Sequence, residues 1–271
     1  MAEDANRSRF SLFTQQFFNR TLFKRVVFYI PVAVITLGQF NDSKELSLEA
    51  YNSIKTNFTH SLEYEKLSHL NIGRTISFVE DYFGPPEVVK VSQQNPDVHY
   101  QYYNIGKAVV TIMNHDGRVS GFTVIPTQTD FDPVLPYLDK SLAQINLGTE
   151  FFSEPEFFFD AFNLVYFAQG QNLGKQFIFL TWMAGIVEYG RFSRLRSDGE
   201  LIPLNTAITQ ISGINESVLA NQQDKVAQAI VNLQMNQPPN FYAFTELDTA
   251  LIPESLLTRF EFKTYFGVHN G

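Results

Sequence analysis

The spacing of apolar residues along this chain changes period several times, and each change predicts an element. Over residues 45–71, Leu46, Leu48, Tyr51, Ile54, Phe58 and Leu62 recur near every third or fourth position, the stripe of an amphipathic helix. A shorter helix is predicted within residues 72–86. Thr75 or Ser77 caps it, Glu80 lies three residues beyond Ser77 as in a capping box, and Ile76, Val79 and Phe83 form its apolar face. Gly84 supplies a left-handed stop, and Pro85-Pro86 forbids continuation. Three strands then follow, Val98–Tyr103, Ala108–Met113 and Val119–Val124. The first connection holds Asn104 and Gly106, and the second holds Asp116-Gly117, a strong hairpin dipeptide. Helices followed by an antiparallel meander predict a sheet with the helices on one face.

The second half opens on a connector with Pro126, Pro133 and Pro136, then the segment LGTEFFSE at residues 147–154. A strand Asn163–Ala168, a turn at Gly170–Gly174 and a long strand Lys175–Ala184 come next. In the long strand Phe177, Phe179 and Thr181 alternate with Ile178, Leu180 and Trp182. Both faces are apolar, so this strand, Trp182 included, is expected at the centre of a sheet. Residues 203–235 read as helical, with Val218, Val226, Ile230 and Leu233 on one side, and Phe241–Leu247 and Phe262–Val268 read as closing strands.

Near the N-terminus the pattern is different. Val26 to Phe40 carries no charge and extends upstream through Leu22 and Phe23. The core run spans roughly 22 Å at ~1.5 Å per residue, and the extension brings it close to the ~30 Å of a bilayer interior. Lys24 and Arg25 can snorkel to the headgroups, and Pro31 is tolerated better in a membrane helix than in a soluble one. The expectation is a transmembrane helix at residues 22–40 behind a basic tail at 1–21. A buried core helix and a cleaved signal peptide stay open as alternatives.

Charge sharpens this picture. Residues 1–25 carry Arg7, Arg9, Arg20, Lys24 and Arg25 against Glu3 and Asp4, a net +3, so the rest carries −11 of the overall −8. The positive-inside rule keeps the tail in the cytoplasm and sends the C-terminal part across a bacterial inner membrane into the periplasm. An acidic domain is a poor polyanion binder, so no nucleic-acid partner is expected. There are 27 phenylalanines and 12 tyrosines, which favours a sheet-rich core. The absence of cysteine excludes disulfides, thiolate metal sites, a cysteine nucleophile and a lipoprotein anchor. The resulting fold class is α+β: an N-terminal transmembrane helix followed by two α/β submodules with antiparallel sheets, residues 41–125 and 126–271.

The order helix, Phe83-Gly84-Pro85-Pro86 stop and meander resembles the SmpA/BamE-like modules of bacterial envelope proteins, which share the architecture of β-lactamase inhibitor protein. The DGRV run at Asp116–Val119 stands in the last hairpin of that unit. More of the chain resembles the bacterial ETEC-type domain family of unknown function. The strings carrying that likeness are TDFDPVLPY, LGTEFF, NLVYFAQGQNLGKQFIFLTWMAGI and PPNFYAF. Asn240-Phe241-Tyr242 matches the family's C-terminal strand in part, and Gln237 and Pro238 stand where an arginine is usual. The resemblance implies an architecture and an envelope location and carries no reaction.

No nucleophile elbow, metalloprotease helix, P-loop or dinucleotide fingerprint occurs. His60 and His69 lie nine positions apart on the expected helix, too far out of phase to share a metal with Glu63 or Glu65, so no metal and no cofactor is expected. Asp130 and Asp132 flank Phe131 before Pro133, which reads as an anchored loop rather than an acid–base pair. Gly170–Gly174 reads as a hairpin, and Glu188 and Tyr189 as a strand end. The expected function is a membrane-anchored, non-catalytic module that binds another envelope or membrane protein. A domain binding a small molecule or lipid, and a hydrolase with an unrecognised site, are the other classes. A flat aromatic patch favours the first, an apolar cleft the second, and a polar pocket with shifted pKa values the third.

Overall fold

The computed structural model describes residues 61–151, 156–160, 163–174, 179–193 and 203–267, within the compact unit Phe58–Gly271. The basic tail, the expected transmembrane helix with Lys24, Arg25, Val26, Pro31 and Phe40, and the first part of the helix expected over 45–71 lie outside the described residues. Among the described residues no helix is long and apolar enough to cross a membrane.

Two short helices come first, α1 (Ser61–Ser68) and α2 (Ile76–Phe83). Thr75 caps α2 by accepting the Phe78 N–H at 3.3 Å. Four strands follow: β1 (Val88–Val91), β2 (Val98–Asn104), β3 (Ala108–His115) and β4 (Arg118–Pro126). Asp116 and Gly117 turn β3 into β4 with φ of 54° and 74°. Two positive φ values in succession are what a tight two-residue hairpin needs, because they match the right-handed twist of its strands. The connector forms a small ladder, β5 (Val134–Leu135) with β6 (Lys140–Ser141), and ends in one helical turn, α3 (Leu147–Glu150). Then come β7 (Glu156–Asp160), β8 (Tyr166–Asn172), β9 (Thr181–Val187), α4 (Leu204–Leu219), α5 (Gln223–Asn236), β10 (Phe241–Thr245), α6 (Leu251–Ser255) and α7 (Arg259–Phe266).

The fold is α+β, but the sheet is shared. Eight strands form one antiparallel sheet in the order β1-β2-β3-β4-β10-β9-β8-β7, where a separate sheet in each half was expected. β10 joins them, pairing with β4 on one side and β9 on the other. Its side chains explain why: Phe241, Tyr242, Ala243 and Phe244 are all buried, so both of its faces and both of its edges need partners.

Three further expectations are corrected. The closing strand predicted at Phe262–Val268 is instead helix α7. Thr258 accepts the Glu261 N–H while the Glu261 carboxylate accepts the Thr258 N–H, and this reciprocal cap fixes the first turn as helix. Of the long strand expected over Lys175–Ala184, Phe179 and Leu180 precede β9, which begins at Thr181, and residues 175–178 lie outside the described residues. β8 runs on through Gly170 to Asn172, so the expected turn is strand and the reversal falls after it. The helical stretch 203–235 is two helices broken at Asn221, which takes φ 55°.

Two apolar clusters sandwich the sheet. One face is covered by α1, α2, the connector, α4 and α5, and contributes Val110, Phe122, Phe167, Trp182, Tyr242 and Phe244. The other is covered by the C-terminal segment, which sets Leu251, Ile252, Leu256 and Leu257 against Tyr100, Tyr102 and Phe241. Each large side chain buried in this way contributes roughly 1.5–3 kcal/mol.

Candidate functional site

Alternation along β8 and β9 decides what the helix-covered face holds. Gln169 pairs with Ala184, and Gln171 with Trp182, so both glutamines are on the side that carries Trp182. Trp182 is 2% exposed and stacks on Phe151 at 4.7 Å, just beyond α3. Gln171 donates its amide to the Glu150 carbonyl at 2.7 Å, tying α3 to the sheet. Gly148 of α3 lies close to α5, where an added Cβ would stand at an ordinary contact distance of 3.5 Å from the Gln234 carbonyl.

These contacts leave a cleft of about 610 Å³ between α3 and the α4–α5 pair. Leu147 and Phe151 form one wall, Val226, Ile230 and Val231 of α5 the other, and Gln169 is part of the lining. The volume lies in the range of small-molecule sites, roughly 300–1,000 Å³. Among the described residues that line it, the polar ones are amides, Asn221, Gln222, Gln223, Gln234 and Gln169, and none titrates. The lining therefore offers hydrogen bonds and apolar contact, but no nucleophile, general base or fixed charge.

Gln169 is the unusual member. It is fully buried, and neither Nε2 nor Oε1 has a hydrogen-bond partner among the described residues. A buried amide left unpaired costs about 1–3 kcal/mol. By contrast, the buried Asn240 is fully used: Oδ1 accepts the Val187 N–H at 2.8 Å and Nδ2 donates to the Val187 carbonyl at 2.9 Å.

The opposite face carries the polar network. The Glu254 carboxylate accepts from Ser92 Oγ at 2.6 Å, from Tyr100 OH at 2.8 Å and from the Gln93 N–H. Burial works against its ionisation, but these hydrogen bonds outweigh burial and hold its pKa below the usual carboxylate value. Glu261 behaves likewise: burial is outweighed by Lys90 Nζ at 2.6 Å and by the Thr258 hydrogen bonds. Burial dominates the raised pKa of Tyr189, whose hydroxyl accepts the Leu257 N–H at 3.1 Å, and on the helix-covered face burial alone raises the Tyr242 phenol.

The residues singled out in the sequence fall as follows. Gly84 ends α2 with φ 79° and ψ −173°, an extended mirror-image conformation rather than the left-handed helical one, as the following Pro85 disfavours helical ψ. His69 stacks on Tyr82 at 4.0 Å. Asp132 Oδ1 accepts the Ala143 N–H at 2.8 Å, and Phe131 is buried against Tyr64 at 4.9 Å. Glu188 pairs with Arg259 at 2.8 Å. Among the described residues no group of three or more histidines and carboxylates is placed to hold a metal. Of what the sequence singled out, the cleft takes Val218, Val226 and Ile230 of the helical stripe and Leu147, Gly148 and Phe151 of the LGTEFFSE segment. Gln169 was hidden because the expected strand stopped at Ala168; the available signal was a glutamine two positions after the apolar Phe167.

Compared with known proteins, the chain matches no family model, no curated protein and no solved structure.

Proposed function

We propose that this protein is a ligand-binding module tethered to a bacterial inner membrane by residues 22–40, with its N-terminus in the cytoplasm and its folded domain in the periplasm. The observation that carries the binding reading is the cleft of about 610 Å³, apolar in its walls and lined by uncharged amides. A non-ionic ligand with a substantial apolar part fits it, because burying apolar surface drives entry and no charge is present to hold an ion. The resemblance to ETEC-type and SmpA/BamE-like envelope proteins agrees with the location. Calorimetric titration of the full-length chain with non-ionic small molecules tests the binding reading. Saturable binding that is lost on filling the cleft with Ala227→Trp supports it, and binding indifferent to that change rejects it. The tether is tested by carbonate extraction, which a membrane helix resists; recovery of the intact chain in the soluble fraction rejects it.

A second reading is a docking module for another envelope protein. Leu219 and Met235 favour it, at 70% and 68% exposure and next in sequence to the lining residues Val218 and Gln234. Leu219→Glu with Met235→Glu should then weaken co-purification of the partner while leaving small-molecule binding intact.

A further inference from the structure

Resting on the ligand-binding reading, we infer that the cleft selects an uncharged ligand bearing an amide-type group, and that Gln169 pairs with it. Gln169 sits in the middle of β8, an interior strand, so its backbone is fixed by pairing on both sides. It is fully buried and belongs to the lining of the cleft, and both of its polar atoms are without a partner among the described residues. The same fold satisfies Asn240 at both ends and binds Gln171 to the Glu150 carbonyl. Among the described strand residues Ser120 Oγ of β4 is also buried without a partner, but Gln169 is a strand amide unpaired at both ends, and of the two it alone lines the cleft.

The chemistry of the group sets the ligand class. A carboxamide presents an N–H donor and a carbonyl acceptor side by side. Its two-point complement is another donor next to an acceptor, as in a secondary amide, a lactam or a primary carboxamide. A carboxylate offers acceptors only and brings a charge that no cationic side chain of the described lining offsets. An ammonium offers donors only and is disfavoured for the same reason. An ester reproduces shape and acceptor but lacks the donor, so it leaves the Gln169 carbonyl unpaired. The apolar walls, Phe151 and Ile230 among them, take the rest of the molecule. An N-acyl chain and a peptide bond share this chemistry.

The test uses the full-length chain in lipid nanodiscs, with empty nanodiscs as blank, titrated by calorimetry. The probes are N-hexylacetamide, its ester isostere hexyl acetate, and N-acetyl-leucine N′-methylamide as the peptide arm. The expected result is saturable binding of at least one amide, with the ester about tenfold weaker or more, one hydrogen bond's worth. Gln169→Leu should abolish the preference, bringing amide and ester to equal affinity. Ala227 is an exposed residue of α5 that lines the cleft, so Ala227→Trp should remove binding of every probe without affecting the fold. Equal binding of amide and ester to the wild-type chain overturns the amide assignment and leaves the cleft as a site. Binding of no probe, or binding unchanged in Ala227→Trp, overturns the ligand-binding reading itself. Should Gln169→Leu fail to fold, the amide-to-ester ratio in the wild type still decides the assignment.

Discussion

The two faces of the sheet are both covered and both aromatic, yet their polar groups are treated in opposite ways. Against the C-terminal segment the polar atoms that hold α6 and α7 in place are paired: Tyr100 and Ser92 with Glu254, Tyr102 with the Ser255 carbonyl, Lys90 with Glu261. Against α3, α4 and α5 a cleft remains, and the amide of Gln169 in its lining is unpaired. The first arrangement suits permanent packing, since paired groups fix one geometry. The second costs stability in the absence of a partner and fits a surface that exchanges one. The difference separates a face built to stay closed from one built to receive something.

The largest expected effect probes the cleft face. Trp182→Ala removes a side chain buried between the sheet and Phe151 and should destabilise the domain by roughly 3–5 kcal/mol in denaturant unfolding. A loss under ~1 kcal/mol would show that this face is not closed by packing around Trp182. Next, Asn240→Ala leaves the Val187 N–H and carbonyl without their side-chain partners and should cost about 2 kcal/mol. That value would establish how much a satisfied buried amide contributes here, against which Gln169 can be measured.

Gly84→Val lies away from both faces. A Cβ at Gly84 meets nothing within 4 Å, so the cost is backbone strain alone, about 1–3 kcal/mol for this nearly glycine-only conformation. Thermal melting of the chain should fall while probe binding at the cleft stays the same. Gln169→Leu runs the other way: replacing an unpaired buried amide by an apolar side chain of similar size should raise stability by roughly 1–2 kcal/mol. A loss of stability would mean that the amide is satisfied, and the contrast between the faces would fail.

The smallest effect is a pH dependence confined to the closed face. Glu254 and Glu261 have folded-state pKa values below the ordinary 4.5. Their contribution is complete above that value and is lost as pH falls through the lowered ones. Hydrogen exchange should therefore show α6 and α7 loosening first as pH falls below 4.5, while the described cleft lining has no titrating group to respond. Simultaneous loosening of α4 and α5 would contradict this.

Much of the fold was legible in local pattern. The helix stop at Gly84-Pro85-Pro86, the hairpin at Asp116-Gly117 and the burial of Trp182 follow from backbone restrictions and apolar alternation within a few residues. The reading of Phe262–Val268 as a strand shows where pattern misleads. Phe260, Phe262 and Phe266 resemble an alternating run, but the cap formed by Thr258 and Glu261 is stronger, and that T-x-x-E spacing was present in the sequence. The boundary of β9 was less accessible. It is set by the pairing of Asn172 with Thr181, where the Thr181 hydroxyl donates to the Asn172 side chain at 2.8 Å.

By itself the sequence determined α2 and its stop at Gly84, the meander of β2, β3 and β4, the helical character of residues 203–235 and strand β10, together with the lack of thiol chemistry, the acidic character of the domain and the apolar run at residues 22–40, because each depends on local geometry or on composition. Only the tertiary structure decided that two meanders become one sheet. That required β10 to reach β4 and β9 from far along the chain, and no local rule sets a contact whose cost is loop closure and whose gain is burial on both faces. The same holds for the cleft. Gln169, Phe151 and Ile230 lie on separate elements, and only the packing of α3 and α5 over β8 and β9 brings them together around an amide that no other described residue satisfies.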